Sequence, residues 1–132
     1  MLQGWARVHA GEREAGLRQL RDGAAAWAAT GVAILRPWHA CLLASGLNAC
    51  GEIAEGLRAI DDGLEAVAGG ERWCEPELHR CRAELLRADG RRDRAGASAQ
   101  LAIVGARRMD APAWERRARA TLAGLEGVPR AA

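Results

Sequence analysis

The stretches AGLRQLRDG at residues 15–23 and EGLRAIDDG at residues 55–63 lie forty residues apart and carry the same residue at five of nine positions. Each copy follows a turn glycine, Gly11 or Gly51. A glycine inside a helix costs about 1 kcal/mol relative to alanine, so glycines that recur in register indicate close approach between neighbouring helices. The glycines concerned are Gly16, Gly23, Gly56 and Gly63.

A third copy is expected in a helix at about residues 92–108. Three of its apolar residues match three of the second copy at an offset of 37: Ala97, Leu101 and Val104 correspond to Ile60, Leu64 and Val67. An offset of 40 aligns Gly96 with Gly56 but disrupts this apolar stripe. We therefore interpret the glycine match as a coincidence.

The composition favours helices and one domain. The 132 residues include 30 Ala, 16 Gly and 19 Arg, with five Trp and no Lys, Phe or Tyr, so good helix formers dominate and aromatic strand formers are nearly absent. The net charge is +2, which is low for a nucleic-acid-binding domain. No apolar run approaches the roughly 18 residues of a membrane span, and no signal peptide is apparent. We expect a cytoplasmic protein with reduced thiols.

Helical periodicity of the apolar residues predicts seven helices joined by short connections. Their predicted ranges are 2–10, 12–30, 35–49, 52–68, 73–88, 92–108 and 111–125. Asp110 is expected to cap the seventh helix, and Pro76 to lie in the first turn of the fifth. Gly31 and the pair at 69–70 are expected to end the helices before them.

This pattern resembles the tetratricopeptide repeat (TPR), in which a small residue and a turn glycine are followed by small, large apolar and small residues. The matching residues are Ala44, Leu47, Gly51, Gly56, Ile60 and Gly63. The stretches GERW at 70–73, ELHR at 77–80 and ELL at 84–86 resemble the carboxy-terminal repeats of large bacterial regulators. In those proteins a class III cyclase domain or a DNA-binding domain is joined to a STAND-type ATPase and then to such repeats.

The resemblance implies an all-α, right-handed superhelix of about three and a half antiparallel helical hairpins, forming a single domain over residues 1–132. Because the first helix is short for a complete hairpin, we expect the chain to be a fragment of a longer protein. The first helix of each hairpin would line a concave groove that receives a peptide or a protein. Residues expected in this groove are Trp38, Cys41, Ser45, Asn48, His79, Arg80 and Glu84.

Three tryptophans are assigned to the core or to the groove. Trp38 is as consistent with the core as with the groove. Trp73 and Trp114 are expected to be packed, since each large ring needs a place to be buried.

Two His-x-Cys pairs lie forty residues apart, His39 with Cys41 and His79 with Cys81. Two His and two Cys could bind zinc. However, residues i and i+2 of a helix point about 200° apart, so one helix cannot easily present both to one ion. We favour packed cysteines and half-exposed histidines over a metal site. Cys74 is the candidate nucleophile, and we interpret it as a packing residue.

No arrangement of residues typical of an enzyme stands out, so we predict no catalytic residue, metal or cofactor. The favoured function is a non-catalytic regulatory scaffold that binds a peptide or a neighbouring domain of a parent regulator; a homodimer is a further alternative. Two other functions remain open: a sensor of a small effector that relays to an attached ATPase or cyclase, and an enzyme using Cys74 or a His/Cys metal site. The arginine clusters are interpreted as solvated surface, with contacts to an acidic partner or another domain of a parent protein, or to nucleic acid, as the alternatives. We expect no membrane contact.

Overall fold

A computed structural model describes residues 1–127, and over this range the chain forms seven α-helices and no strand. The helices are α1 (Leu2–His9), α2 (Arg13–Ala29), α3 (Arg36–Ala49), α4 (Ile53–Ala68), α5 (Glu75–Ala88), α6 (Arg92–Arg108) and α7 (Pro112–Glu126). Every boundary lies within two residues of its predicted position. Across residues 1–127, no helix combines the length and the hydropathy that crossing a bilayer requires.

The helices pack in two layers. The odd-numbered helices α1, α3, α5 and α7 contact one another in chain order and form one layer. Each of α2, α4 and α6 packs against the odd-numbered helices before and after it. Consecutive hairpins therefore bury their apolar faces by stacking on one another, with Leu20, Leu47, Ile60 and Leu85 fully buried between them.

The six turns between helices share one backbone feature. The second residue after each of the first six helices has a positive φ, and at Gly31 and Gly70 this φ is 69° and 119°. Both predicted helix ends are thereby confirmed. After α6 the position is filled by Asp110, with φ 52°. The prediction that Asp110 caps α7 is wrong: Ala111 holds the N-cap position, while Asp110 ends α6, because its short polar side chain tolerates the left-handed conformation.

The glycines predicted at helix contacts do lie at them. A Cβ atom on Gly16 would come within 2.6 Å of the Val8 backbone nitrogen and 2.8 Å of the Gly4 carbonyl oxygen. A Cβ atom on Gly63 would come within 2.7 Å of a leucine side chain of α5. The remaining two, Gly23 and Gly56, have neighbours at 2.8 Å and 2.6 Å. The repeated glycines therefore set the distance between neighbouring helices.

The predicted register of the third copy is wrong. Ala97 is exposed, as are Leu101 and Val104 with 54% and 42% of their surface. The buried residues of α6 instead follow the second copy at an offset of 39: Ala95, Ala99, Ala102 and Ala106 replace Gly56, Ile60, Gly63 and Val67. The prediction followed hydrophobicity and therefore put Leu101 and Val104 on the buried face. In the structure α6 packs closely against α5, and alanines occupy the positions at that contact. Gly96 faces open space, so its match at 40 is a coincidence.

Candidate binding groove

A groove of about 220 Å³ crosses the layer of odd-numbered helices. We call it, together with an adjoining recess of about 50 Å³, the inner groove. Four helices supply its lining, so it exists only because the hairpins stack. The lining comprises Leu2, Trp5, Trp38, Cys41, Leu42, Ala44, Ser45, Asn48, Glu77, Arg80, Cys81, Glu84 and Arg117.

Six of the seven residues expected in the groove line it: Trp38, Cys41, Ser45, Asn48, Arg80 and Glu84. His79 is the exception, and its assignment to the groove is corrected. One residue corresponds to a rotation of about 100° around a helix, so His79 faces away from the side that Arg80 occupies. It lines a pocket between the start of α5 and α6 instead.

A buried carboxylate lies in the inner groove and was not expected from the sequence. Glu77 is 3% exposed, and both its oxygens accept hydrogen bonds from Arg80 Nε, at 3.2 and 3.3 Å. Arg117 Nη1 of α7 lies 2.9 Å from Glu77 Oε2. Two guanidinium groups thus surround one carboxylate and leave this part of the groove with a positive charge. The only hint in the sequence is the Glu77–Arg80 spacing of three residues, which suits an ion pair on one helix face.

Aromatic side chains cover the other end of the inner groove. Trp5 Nε1 donates a hydrogen bond to Ser45 Oγ at 3.2 Å, and His9 Nε2 lies 3.2 Å from the same oxygen. The Trp38 ring is half-buried, with its centroid 6.1 Å from that of Trp73. Trp73 precedes α5 and is 41% exposed, so the expectation that it is packed is only partly met.

Thiols from α3, from α5 and from the N-cap of α5 meet beneath the groove. Cys41, Cys74 and Cys81 are all buried, and Arg80 Nη2 lies 3.6 Å from Cys81 Sγ. Hydrogen bonds to Cys74 and Cys81, together with burial, raise the pKa of Cys41. The same contact with Cys41 lowers the pKa of Cys81. Cys74 is fully buried, so solvent does not reach the thiol that the sequence offered as a nucleophile.

The two His-x-Cys pairs separate as helix geometry requires. Cys41 and Cys81 face the inner groove, whereas His39 lines a pocket of about 610 Å³ with residues of α1 and α2. Burial lowers the pKa of both His39 and His79, and at His79 the charge of Glu75 opposes this effect. Within residues 1–127, no three His, Cys, Asp or Glu side chains are arranged to hold a metal ion.

The pocket that contains His79 has a volume of about 500 Å³. We call it the outer pocket, because it lies between α5 and α6 and away from the inner groove. Its lining includes Trp73, His79, Leu101, Val104, Arg108 and Met109.

Comparison with known proteins shows that this chain is similar to one segment of a much longer protein. It is 30% identical, over 131 residues, to an uncharacterized protein of Rhizobium meliloti (strain 1021). The match covers 95% of this chain and 12% of that relative. No protein-family model matches the sequence, and no solved structure matches it.

Proposed function

We propose that this chain is a non-catalytic interaction module, a TPR-like right-handed superhelix whose inner groove binds a peptide segment or a neighbouring domain. Stacked helical hairpins support this proposal, because such stacks use the layer formed by the first helices as an extended binding surface. The length of the Rhizobium relative supports a role beside other domains, such as the ATPase or cyclase of a bacterial regulator.

The observation that carries the proposal is the mixed polarity of the inner groove. Apolar rings of Trp5 and Trp38 lie beside the fixed charges of Glu77, Arg80 and Arg117. A peptide can satisfy such a surface with one apolar side chain and one polar group. A small effector would instead be expected in a more enclosed and more apolar pocket.

An affinity experiment tests this function. The wild-type chain and a Trp38→Ala, Asn48→Ala variant are immobilised and used to capture proteins from the source cell. A second variant, Arg94→Ala with Gln100→Ala, changes two exposed residues of α6 and is the matched control. We expect a partner that the wild type and the control retain and that the groove variant loses. The captured segment is then titrated against all three proteins by calorimetry.

A partner retained equally by the groove variant would contradict the proposal. Circular dichroism of each variant establishes that lost binding does not reflect lost folding.

A second candidate is the binding of a small effector, favoured by the pocket of about 610 Å³ that His39 lines. Two buried polar atoms belonging to residues of this pocket, Trp27 Nε1 and His39 Nδ1, make no hydrogen bond within the described chain. Both atoms are buried, so a ligand reaches them only if the Trp27 and His39 rings, whose centroids lie 4.6 Å apart, move apart. A hydrogen bond gained there would offset the roughly 1–3 kcal/mol that an unsatisfied buried polar atom costs. Heat released on titration with cell metabolites, and lost in a His39→Leu variant, would favour this function.

A further inference from the structure

Four large apolar side chains converge on the outer pocket and remain exposed. Trp73, Leu101, Val104 and Met109 are between 41% and 54% exposed. Single exposed apolar residues are ordinary on a protein surface, but a contiguous group that forms a pocket marks an interaction site.

The chain's own second copy shows that the fold does not require apolar residues there. At the offset of 39, Leu101 corresponds to Asp62 and Val104 to Glu65. In the second copy, Asp62 accepts hydrogen bonds from Arg36 at the start of α3, and Glu65 lies 3.8 Å from the same guanidinium. An ion pair therefore joins these two helices in the second copy.

In the third copy this ion pair is absent. Glu75 replaces Arg36, and its carboxylate lies near Arg72 and His79, at 3.6 and 3.7 Å. Leu101 and Val104 are left facing the pocket without an apolar partner that buries them. The second copy thus folds with carboxylates at the two positions where the third copy has Leu101 and Val104. Apolar side chains at these positions are therefore not a requirement of the fold.

Positive charge borders the outer pocket. Arg72 and Arg108 both line it, and the Arg72 side chain is 70% exposed. Within residues 1–127, Arg108 makes no ion pair with an acidic side chain. Glu75 is the single acidic residue of the lining, so the two arginines leave the pocket with a net positive charge.

From the apolar lining and the charged border, we infer that the outer pocket docks an amphipathic helix of a partner protein whose apolar stripe is flanked by acidic side chains. Leu101 and Met109, the C-cap of α6, are eight positions apart, which corresponds to about 12 Å at 1.5 Å per residue. This length matches two turns of a partner helix lying alongside α6, which would insert apolar residues at i, i+3 or i+4, and i+7. Its acidic side chains would then reach Arg72 and Arg108. This surface has a different lining from the inner groove, and the two adjoin where Trp73 of the outer pocket contacts Trp38 of the groove.

Two designed peptides test this inference on the full chain. Both are helical, about sixteen residues long and carry the same leucine stripe; one has glutamate and the other lysine on the flanks. Binding is measured by isothermal titration calorimetry. We expect the glutamate peptide to bind about tenfold or more tightly than the lysine peptide, and Arg108→Gln to reduce that preference.

The internal repeat supplies the decisive variant. Leu101→Asp with Val104→Glu places the residues of the second copy in the third, and we expect it to weaken the glutamate peptide about tenfold or more. The matched control, Ala97→Asp with Gln100→Glu, adds the same charges at the same spacing on exposed positions of α6 and should bind as the wild type does.

Three results would overturn the inference: equal binding of both peptides, binding unaffected by Leu101→Asp with Val104→Glu, or no binding of either peptide. The same holds if dodecanoate binds at these residues while both peptides fail to bind, because the pocket would then accept a small amphiphile rather than a helix. Trp38 contacts Trp73 of the outer pocket, so the separating variant is Asn48→Ala alone, which changes the inner groove without touching the outer pocket. A partner that Asn48→Ala loses while the glutamate peptide still binds concerns the inner groove, so the two proposals fail separately.

Discussion

Glu77 and Arg117 join α5 to α7 through a contact of 2.9 Å between an almost fully buried carboxylate and a half-exposed guanidinium. Arg80 holds the same carboxylate from within α5 and is itself 15% exposed. The Glu77 carboxylate thus has one mostly buried partner, Arg80, and one half-exposed partner, Arg117.

Glu77→Ala is expected to destabilise the protein by about 3 kcal/mol, because it leaves the nearly buried Arg80 guanidinium without its carboxylate. Arg117→Ala should cost about 1 kcal/mol or less, since Glu77 keeps Arg80 and the lost side chain is half-exposed. Urea denaturation of both variants measures the difference. Equal losses would show that Arg80 finds another partner.

Arg21 and Glu55 connect α2 with α4, with Nε donating to Oε1 at 3.0 Å. The hydrogen bond from Arg21 lowers the pKa of Glu55 below its ordinary value of 4.5, although burial opposes this effect. The folded state therefore binds the Glu55 proton less tightly than the unfolded state, and the pair stabilises the fold above pH 4.5.

Glu55→Gln should accordingly cost about 0.5–1 kcal/mol at pH 7, a modest value because both side chains are partly exposed. The difference from the wild type should shrink as the pH falls through 4.5 towards the lower pKa of the folded state. Thermal unfolding at pH 7 and at pH 3 measures it. A difference that persists at pH 3 would indicate a packing effect rather than an ionic one.

Gly16→Ala and Gly96→Ala are predicted to have opposite effects on stability. Both glycines lie inside helices, where alanine is favoured by about 1 kcal/mol. A Cβ atom at position 96 meets nothing within 4 Å, so Gly96→Ala should stabilise the protein by up to that amount. At position 16 the same atom would collide with the backbone of α1, and overpacking costs about 1–3 kcal/mol.

Chemical denaturation of the two variants gives the signs. A stabilising Gly16→Ala would show that α1 can move away from α2 at little cost.

The four thiols should react in two kinetic classes. Cys50 is half-buried, whereas Cys41, Cys74 and Cys81 are buried. With an aromatic disulfide reagent, Cys50 should be modified in the native state and the other three mainly after unfolding. Cys50→Ser should remove the fast class and leave the slow one. A fast reaction in that variant would mean that the inner groove admits the reagent to Cys41 or Cys81.

The helix boundaries could be predicted because they depend on local chemistry: a glycine recurs two residues after five of the helices, and prolines lie in first turns. The register of α6 could not, because four of the six buried residues of this helix are alanines, beside Ser98 and Ile103. Alanine is common throughout this chain, so hydrophobicity pointed to Leu101 and Val104 instead. Packing against α5, which the sequence does not display, decides which face is buried.

The groove positions on α3 could be predicted, because they lie on one side of that helix. On α5 the prediction included His79, which is one residue from Arg80 and therefore lies on a different side of the helix. The burial of Glu77 had no distinct signal, since glutamate beside arginine is typical of an exposed helix. Its partner Arg117 lies forty residues away in one of several arginine clusters. Only the stacking of α5 on α7 selects that arginine from the others.

The pairing of Trp38 with Trp73 has a spectroscopic consequence. The chain has no Tyr or Phe, so every near-ultraviolet transition of the protein belongs to an indole. Two of its five indoles lie with ring centroids 6.1 Å apart, one on α3 and the other in the connection before α5. Coupling between their transitions gives the junction of two successive hairpins its own near-ultraviolet circular dichroism signal. A partner that separates or tightens this junction would change that signal, so its binding can be followed without a label.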